Sequence, residues 1–255
     1  MKLDVVVAPT FLEEGELGGC LCAVVDVLRA TSTIITALVS GAVAVHPCLD
    51  IAEARRRAES FRQGLCLLGG EERGDHIPGF DLGNSPWEYL AANIVAGKAI
   101  FFYTTNGTGA IRRAYADSGQ PIYIAALLNM SAVSSAMVKA ASADHPRGIV
   151  ILCAGRYGRP SAEDLFCAGL VVERIGSGLR EVGVHPRLTD GATIAAGFAA
   201  ANKVQSREVL AASEHGRFLQ SIGYASDLEF ASRLDAYDAV PIFDGDRVVL
   251  LHGNP

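Results

Sequence analysis

Short β-branched apolar runs alternate with longer stretches of helical periodicity along most of this 255-residue chain, and that alternation constrains its fold more than any other feature. Strands are predicted at 3–8, 21–26, 42–46, 65–68, 99–103, 122–125 and 149–153. Between most of them apolar residues recur at i, i+3 and i+4, as at 51–61, 110–116 and 132–140. Strands alternating with helices need crossover connections, which build a largely parallel sheet covered on both faces. The continuous apolar run Ile149-Val150-Ile151-Leu152 suits a strand buried on both sides. The expected fold is therefore α/β, with a layered, mostly parallel sheet flanked by helices.

After Ser161 the pattern changes. Ser161 reads as a helix N-cap, with Asp164 three residues on in a capping-box-like arrangement, and the helix should run to about Gly176. Further helices are predicted at 189–201, 207–212 and 227–234. The end reads as a hairpin, 240–243 and 247–252, around Asp244-Gly245-Asp246. Residues 1–255 read as one domain; a subdomain boundary, if there is one, falls near 120–130 and gives segments of about 1–125 and 126–255.

Composition narrows the partners. Half the residues are hydrophobic and a fifth are charged, which is globular rather than disordered. The net charge is −6 and no long basic block appears, so nucleic acid is not an expected partner. Arg55-Arg56-Arg57 reads as a solvated helix face. No uncharged apolar run reaches the ~20 residues of a membrane span, and the opening Met1-Lys2-Leu3-Asp4 does not read as a signal peptide. A cytoplasmic protein without a membrane partner is expected. The six cysteines are scattered, mostly among apolar residues, and read as buried reduced thiols. Cys20-x-Cys22 has no second pair at zinc spacing.

Four polar stretches join strand ends to helix starts. The first is 26–33, Asp-Val-Leu-Arg-Ala-Thr-Ser-Thr. Carboxyl ends of parallel strands line ligand crevices. Asp26 there suits a hard metal, Arg29 a phosphate or carboxylate, and the hydroxyls and free amides that follow an anion. A strand-end Asp, an Arg paired with it and a Thr/Ser cap explain the same residues equally well.

The second stretch is Gly69-Gly70-Glu71-Glu72-Arg73 followed by 79–86, Gly-Phe-Asp-Leu-Gly-Asn-Ser-Pro. Ser85-Pro86 starts a helix, with Glu88 three residues after Ser85. Glu71 and Asp81 are flanked by glycines in a loop of about sixteen residues, and loops that long are often functional. The third is 103–109, Tyr-Thr-Thr-Asn-Gly-Thr-Gly, which is either an oxyanion cradle at a helix N-terminus or a capped turn. It lacks the Gly-Lys-Ser/Thr of a Walker loop and the third glycine of a dinucleotide fingerprint.

The fourth runs from Cys153 to Asp164. Glu163 and Asp164 either complement the helix dipole or supply a metal ligand or base. Cys153-x5-Arg159 has the spacing of cysteine-dependent phosphatases, but Pro160 and Leu152 stand where Ser/Thr and His are usual. His215, in Ser213-Glu214-His215-Gly216-Arg217, is either a phosphate donor or acid, or part of a helix cap. His46, His76, His145, His185 and His252 show no partner pattern and read as structural or solvated.

As an ordered set these segments resemble the 2-phosphosulfolactate phosphatase family, which serves coenzyme M biosynthesis in methanogens. The resemblance rests on 26–33, 79–86, Thr104-Thr-Asn-Gly-Thr108, Cys153-Ala-Gly155 with Ser161-Ala-Glu-Asp164, and Ser213-x-His-Gly-Arg217 followed by Asp227-Leu228. It implies Mg2+-dependent hydrolysis of the phosphate ester of a small 2-hydroxy acid, an α/β fold particular to the family, and a homo-oligomer. On that resemblance Asp26, Glu71 and Asp81, joined by Glu163 or Asp164, are expected to hold Mg2+. Arg29, Asn84, Ser85, Thr105, Asn106, Gly107, Thr108 and Arg156 are expected to bind substrate. Asp26, Glu163, Asp164 and His215 are the expected catalytic groups, with water or Asp26 as nucleophile. The family often reads Gly-Glu-Arg where this chain has Gly70-Glu71-Glu72-Arg73, which leaves Arg73 without an assigned role. A cysteine-dependent phosphatase using Cys153 and a non-catalytic binder of an anionic metabolite are the alternatives.

Overall fold

The predicted alternation becomes a single curled sheet in the computed structural model, which describes residues 1–62, 64–202 and 205–251. Its strands are β1 (Lys2–Val6), β2 (Cys20–Val25), β3 (Ala44–Pro47), β4 (Cys66–Glu72), β5 (Asp75–His76), β6 (Ala99–Tyr103), β7 (Ile122–Ala125), β8 (Gly148–Cys153), β9 (Arg187–Leu188), β10 (Pro241–Phe243) and β11 (Val248–Leu250). The helices are α1 (Ala30–Val39), α2 (Ile51–Glu59), α3 (Ala92–Val95), α4 (Gly107–Ser118), α5 (Met130–Asp144), α6 (Ala162–Glu181), α7 (Asp190–Ala201), α8 (Ser206–Ala212), α9 (Glu214–Ser221) and α10 (Ala225–Ala231). Among the described residues, no helix is long and apolar enough to cross a membrane.

The strand order is β5-β4-β6-β3-β11-β10-β7-β2-β8-β1-β9. Two parallel sets result, β4-β6-β3 and β7-β2-β8-β1-β9. The C-terminal hairpin β10-β11 is inserted between them and runs antiparallel to both β7 and β3. The last strands of the chain therefore close the middle of the sheet. Because β1 and β2 pair within the set that contains β7 and β8, the two sets do not correspond to the segments 1–125 and 126–255.

Alternation along the strands assigns each side chain to a layer. Val24, Ile124 and Leu152 from one set and Val45, Ile100 and Phe102 from the other share a single core with Ile34 and Ile35 of α1 and Ile111 of α4. The sheet thus curls around these two helices. Val25, Ile151 and Cys153 point the other way, toward Met137 of α5, Phe166 of α6 and Ala195 of α7. Phe101 packs outward with Ala54 of α2. Enclosure buries α1 all round: every residue from Ala30 to Leu38 is buried, and the hydroxyls of Thr31, Ser32, Thr33 and Thr36 each donate to a backbone carbonyl. Each fully buried Ile or Phe in that layer contributes about 1.5–3 kcal/mol of apolar transfer.

Three local expectations are corrected. β4 does not stop at Leu68 but continues through Gly69-Gly70 to Glu72, pairing Gly70 with Tyr103. A Cβ on Gly70 would lie 1.8 Å from the Tyr103 carbonyl oxygen, so the glycine permits a close strand approach instead of breaking the strand. Ser161 is the N-cap of α6 but forms no capping box, because Asp164 is engaged elsewhere. His215 is not the helix cap but lies inside α9, whose cap is Ser213, its Oγ accepting from Gly216 N at 2.8 Å. The expected hairpin end, His252, lies outside the described residues.

Candidate active site

A tight polar cleft of about 20 Å³ lies beyond the carboxyl ends of β2, β4, β6 and β8. Asp26, Arg29, Glu71, Asn84, Thr105, Asn106, Arg156 and His215 line it, so residues from all four sequence stretches and α9 converge there. Arg73, Tyr157 and Phe218 complete the wall. A wider cleft of about 500 Å³ opens beside it, shares Arg156, Tyr157 and His215, and has Glu163 on its wall. A roomier groove of about 810 Å³ between α5 and α6 contains none of these residues. The polar cleft is identified by its side chains, not its size.

Asp26 sits just past β2 and is 6% exposed. Its Oδ1 accepts from Ala30 N at 3.2 Å, while Oδ2 faces the start of α4. A Cβ added to Gly107 would lie 2.5 Å from that oxygen and 2.4 Å from Ala30 Cβ, so only glycine allows α4 to approach this closely. Burial pushes the Asp26 carboxyl up to about 7; His215 opposes the rise, and Glu71 and Glu163 add to it.

Glu71 ends β4 and supports the cradle. Its carboxylate accepts from Thr105 N at 2.8 Å, from Thr105 Oγ1 at 3.2 Å and from Gly74 N. Thr105 Oγ1 in turn accepts from Arg73 N at 2.8 Å. Thr108 and Thr104 exchange amide-to-hydroxyl bonds of 3.2 Å, which positions the turn into α4 and leaves Thr108 off the cleft wall. Asn106 Oδ1 accepts from Tyr157 N at 2.9 Å, joining the β6 turn to the β8 turn.

Arg29 is 3% exposed, and its NH1 donates to Asp227 Oδ2 at 2.9 Å. Asp227 Oδ1 accepts from Ser85 Oγ at 2.6 Å, so Ser85 is one residue removed from the cleft. The Arg29 guanidinium also lies 4.2 Å from the Tyr224 ring centre. Asp227 has no site role among the sequence expectations, although Asp227-Leu228 belongs to the motif set. Asn84 Oδ1 is buried without a hydrogen-bond partner among the described residues.

Glu163 is 1% exposed. One of its oxygens pairs with His215 Nδ1 at 3.4 Å and the other, Oε2, is buried with no partner among the described residues. Asp164 differs. Its two oxygens accept from Val27 N at 2.8 Å and Gly155 N at 3.0 Å, tying the β2 turn to the β8 turn. Burial, then Asp26 and Glu163, hold the Asp164 carboxyl well above the ordinary range.

Asp81 and Cys153, like Ser85 and Thr108, stand apart from the cleft wall. Asp81 is exposed and accepts from Leu68 N at 2.8 Å, acting as a turn brace beside β4. Cys153 is fully buried in the outer core, and burial raises its thiol pKa well above the usual value. A phosphatase thiolate needs the opposite setting, an electropositive and accessible one.

Among the described residues no three His, Cys, Asp or Glu side chains gather closely enough to hold a metal alone. The donor chemistry nevertheless suits Mg2+, which is usually bound by one or two carboxylates together with water and substrate phosphate. Asp26 Oδ2 and the orphaned Glu163 Oε2 are the carboxylate oxygens not spent on amides or His215. Glu71 and Asp164 are committed to the backbone.

Residues 7–246 match the family model described as 2-phosphosulpholactate phosphatase. The chain is 39% identical over 241 residues to a "Probable 2-phosphosulfolactate phosphatase" of Pseudothermotoga lettingae, covering 94% of this chain and 96% of the relative. A protein of the same name from Symbiobacterium thermophilum is 39% identical over 236 residues, covering 92% and 96%. Another from Clostridium botulinum is 33% identical over 251 residues, covering 98% and 100%. This chain belongs to the 2-phosphosulfolactate phosphatase family.

Proposed function

We propose that this protein is a Mg2+-dependent phosphatase that hydrolyses the phosphate ester of a small 2-hydroxy acid such as 2-phosphosulfolactate. The observation that carries the reading is the Asp26 carboxylate, buried at a strand end with Oδ2 turned to the N-terminus of α4. A carboxylate gathered beside an anion cradle gains nothing unless a cation joins them.

The amides at the start of α4 and the cations Arg73 and Arg156 receive the phosphoryl group in the tight cleft. Arg29 is already neutralised by Asp227, so it shapes the pocket and lends hydrogen bonds more than charge. Asp26 and Glu163 are the groups that would hold Mg2+, which when bound supplies Lewis-acid stabilisation of the transferring group. His215, oriented by Glu163, hands a proton to the departing 2-alkoxide. Water is the nucleophile in this reading, since Asp26 is assigned to Mg2+ and the Cys153 thiol is protonated and buried.

The deciding experiment is a phosphate-release screen of small phosphorylated 2-hydroxy acids with Mg2+ or with chelator. Release that needs Mg2+ supports the reading. No release from any ester removes the phosphatase assignment, and release unaffected by chelator removes the metal.

A further inference from the structure

α9 brings His215 and Phe218 to the wall of the tight cleft, and only His215 has a part in the proposed reaction. The start of the helix is fixed. Ser213 Oγ accepts from Gly216 N at 2.8 Å, and a Cβ on Gly216 would lie 1.8 Å from the Leu210 carbonyl oxygen, so α9 is held close against α8. From that start, side chains three residues apart share a face. Phe218 therefore follows His215 to the cleft, half-buried, while Leu219 takes the core side and is fully buried.

The Phe218 ring sits in a notch that a glycine provides. Arg73 (φ 55) and Gly74 (φ 94), both left-handed, form the two-residue turn between β4 and β5. A Cβ on Gly74 would lie 2.7 Å from Phe218 Cε1 and 3.0 Å from Cζ, so any side chain there would push the ring away.

The ring also meets Arg156, whose guanidinium lies 4.6 Å from its centre. The Arg156 side chain is 14% exposed, whereas its carboxylate partner Glu214, at 3.2 Å, is 82% exposed. An ion pair that open to water fixes an arginine weakly. A cation set over a partly desolvated ring is held more firmly. Tyr157 approaches the guanidinium at 5.1 Å but is itself 54% exposed.

The two buried arginines of the cleft are thus held in opposite ways. Asp227 fixes Arg29 by taking its charge and a donor. A phenyl ring has no hydrogen-bonding atom, so Phe218 fixes Arg156 and leaves its charge and N–H donors to a ligand.

We infer that Phe218 is a positioning residue for phosphoryl transfer: seated against Gly74, its ring holds the Arg156 guanidinium in the cleft with its charge free for the phosphoryl group. This rests on the phosphatase reading, in which Arg156 meets that group, and adds to it a side chain without polar atoms. Misplacing such a group by about 1 Å costs on the order of a hundredfold in rate.

The test is a double-mutant cycle on the full-length enzyme with Mg2+ and 2-phosphosulfolactate, using F218A, F218L, R156A and the two combinations with R156A. F218A should lower kcat/KM by about tenfold to a hundredfold. F218L fills the notch without a π face and should lose about fivefold or more, at a denaturation midpoint near that of the unmodified protein. In the R156A background either change should cost less than about twofold further, because the group it acts through is gone. Equal losses with and without Arg156 overturn the inference, as does full activity in F218L. If F218A fails to fold, the F218L cycle decides.

The same cycle on calorimetric binding of inorganic phosphate separates this inference from the phosphatase reading. Binding that weakens in F218L, with no added loss in F218L/R156A over R156A, sustains the inference even if no ester is hydrolysed. Additive losses beside intact ester hydrolysis overturn the inference alone. An unmodified protein that neither binds phosphate nor hydrolyses an ester overturns both.

Discussion

Arg29 NH1 donates to Asp227 Oδ2 at 2.9 Å, and the two side chains are 2% and 1% exposed. The pair closes the floor of the cleft by joining the turn after β2 to α10, 198 residues later. Removing one partner leaves an uncompensated buried charge. D227A is therefore expected to lose about 3–5 kcal/mol of stability in urea denaturation, whereas R29M with D227L recovers much of it without activity. A D227A protein as stable as the unmodified one would show that the pair carries no structural weight.

Asp26 is unfavourable for folding and necessary for the proposed reaction. D26N is expected to lower kcat by about 10³-fold or more while raising the thermal midpoint of the metal-free protein. C153S should stay within a few-fold of normal activity. Full activity in D26N would remove Asp26 from the mechanism, and loss confined to C153S would restore the thiolate alternative.

The same carboxyls set a pH dependence. Asp26 is raised to about 7 and Asp164 well above its ordinary value, both chiefly by burial. Between about pH 4 and pH 7 the folded state therefore binds more protons than the unfolded state, and stability falls as pH rises. Chelated protein should show a declining denaturation midpoint across that window, and added Mg2+ should flatten the decline. A midpoint that climbs from pH 4 to 7 without metal would contradict these shifts.

Gly107 admits no side chain. A Cβ would sit 2.4 Å from Ala30 Cβ and 2.5 Å from Asp26 Oδ2. G107A is expected to cost about 1–3 kcal/mol and to abolish phosphate release, because α4 must move away from Asp26. Crystallography of the variant would show that displacement; an unmoved α4 would refute the account.

Much of the site was legible in advance because strand-to-helix junctions are marked by local chemistry. Asp26, Arg29, Glu71, Asn84, Thr105, Asn106, Arg156 and His215 all reach one cleft. What remained hidden was the use made of each carboxylate. Glu71 and Asp164 look like free acids in the sequence but bond amides from other segments, Thr105 in one case and Val27 and Gly155 in the other. Asp81 is drawn aside by the Leu68 amide because β4 runs on past Gly70.

The sequence alone determined the elements and their junctions, since periods of 2 and 3.6 residues and capping chemistry are properties of neighbouring residues. Its ordered motifs also placed the chain in its family. Only the tertiary structure decided that the C-terminal hairpin lies at the centre of the sheet, that Arg29 is neutralised by Asp227, and that the Ser161 hydroxyl and one Glu163 oxygen are buried without a hydrogen-bond partner among the described residues. Those outcomes depend on which distant backbone amides and charges reach a side chain, and that is set by the packing of the whole sheet around α1 and α4.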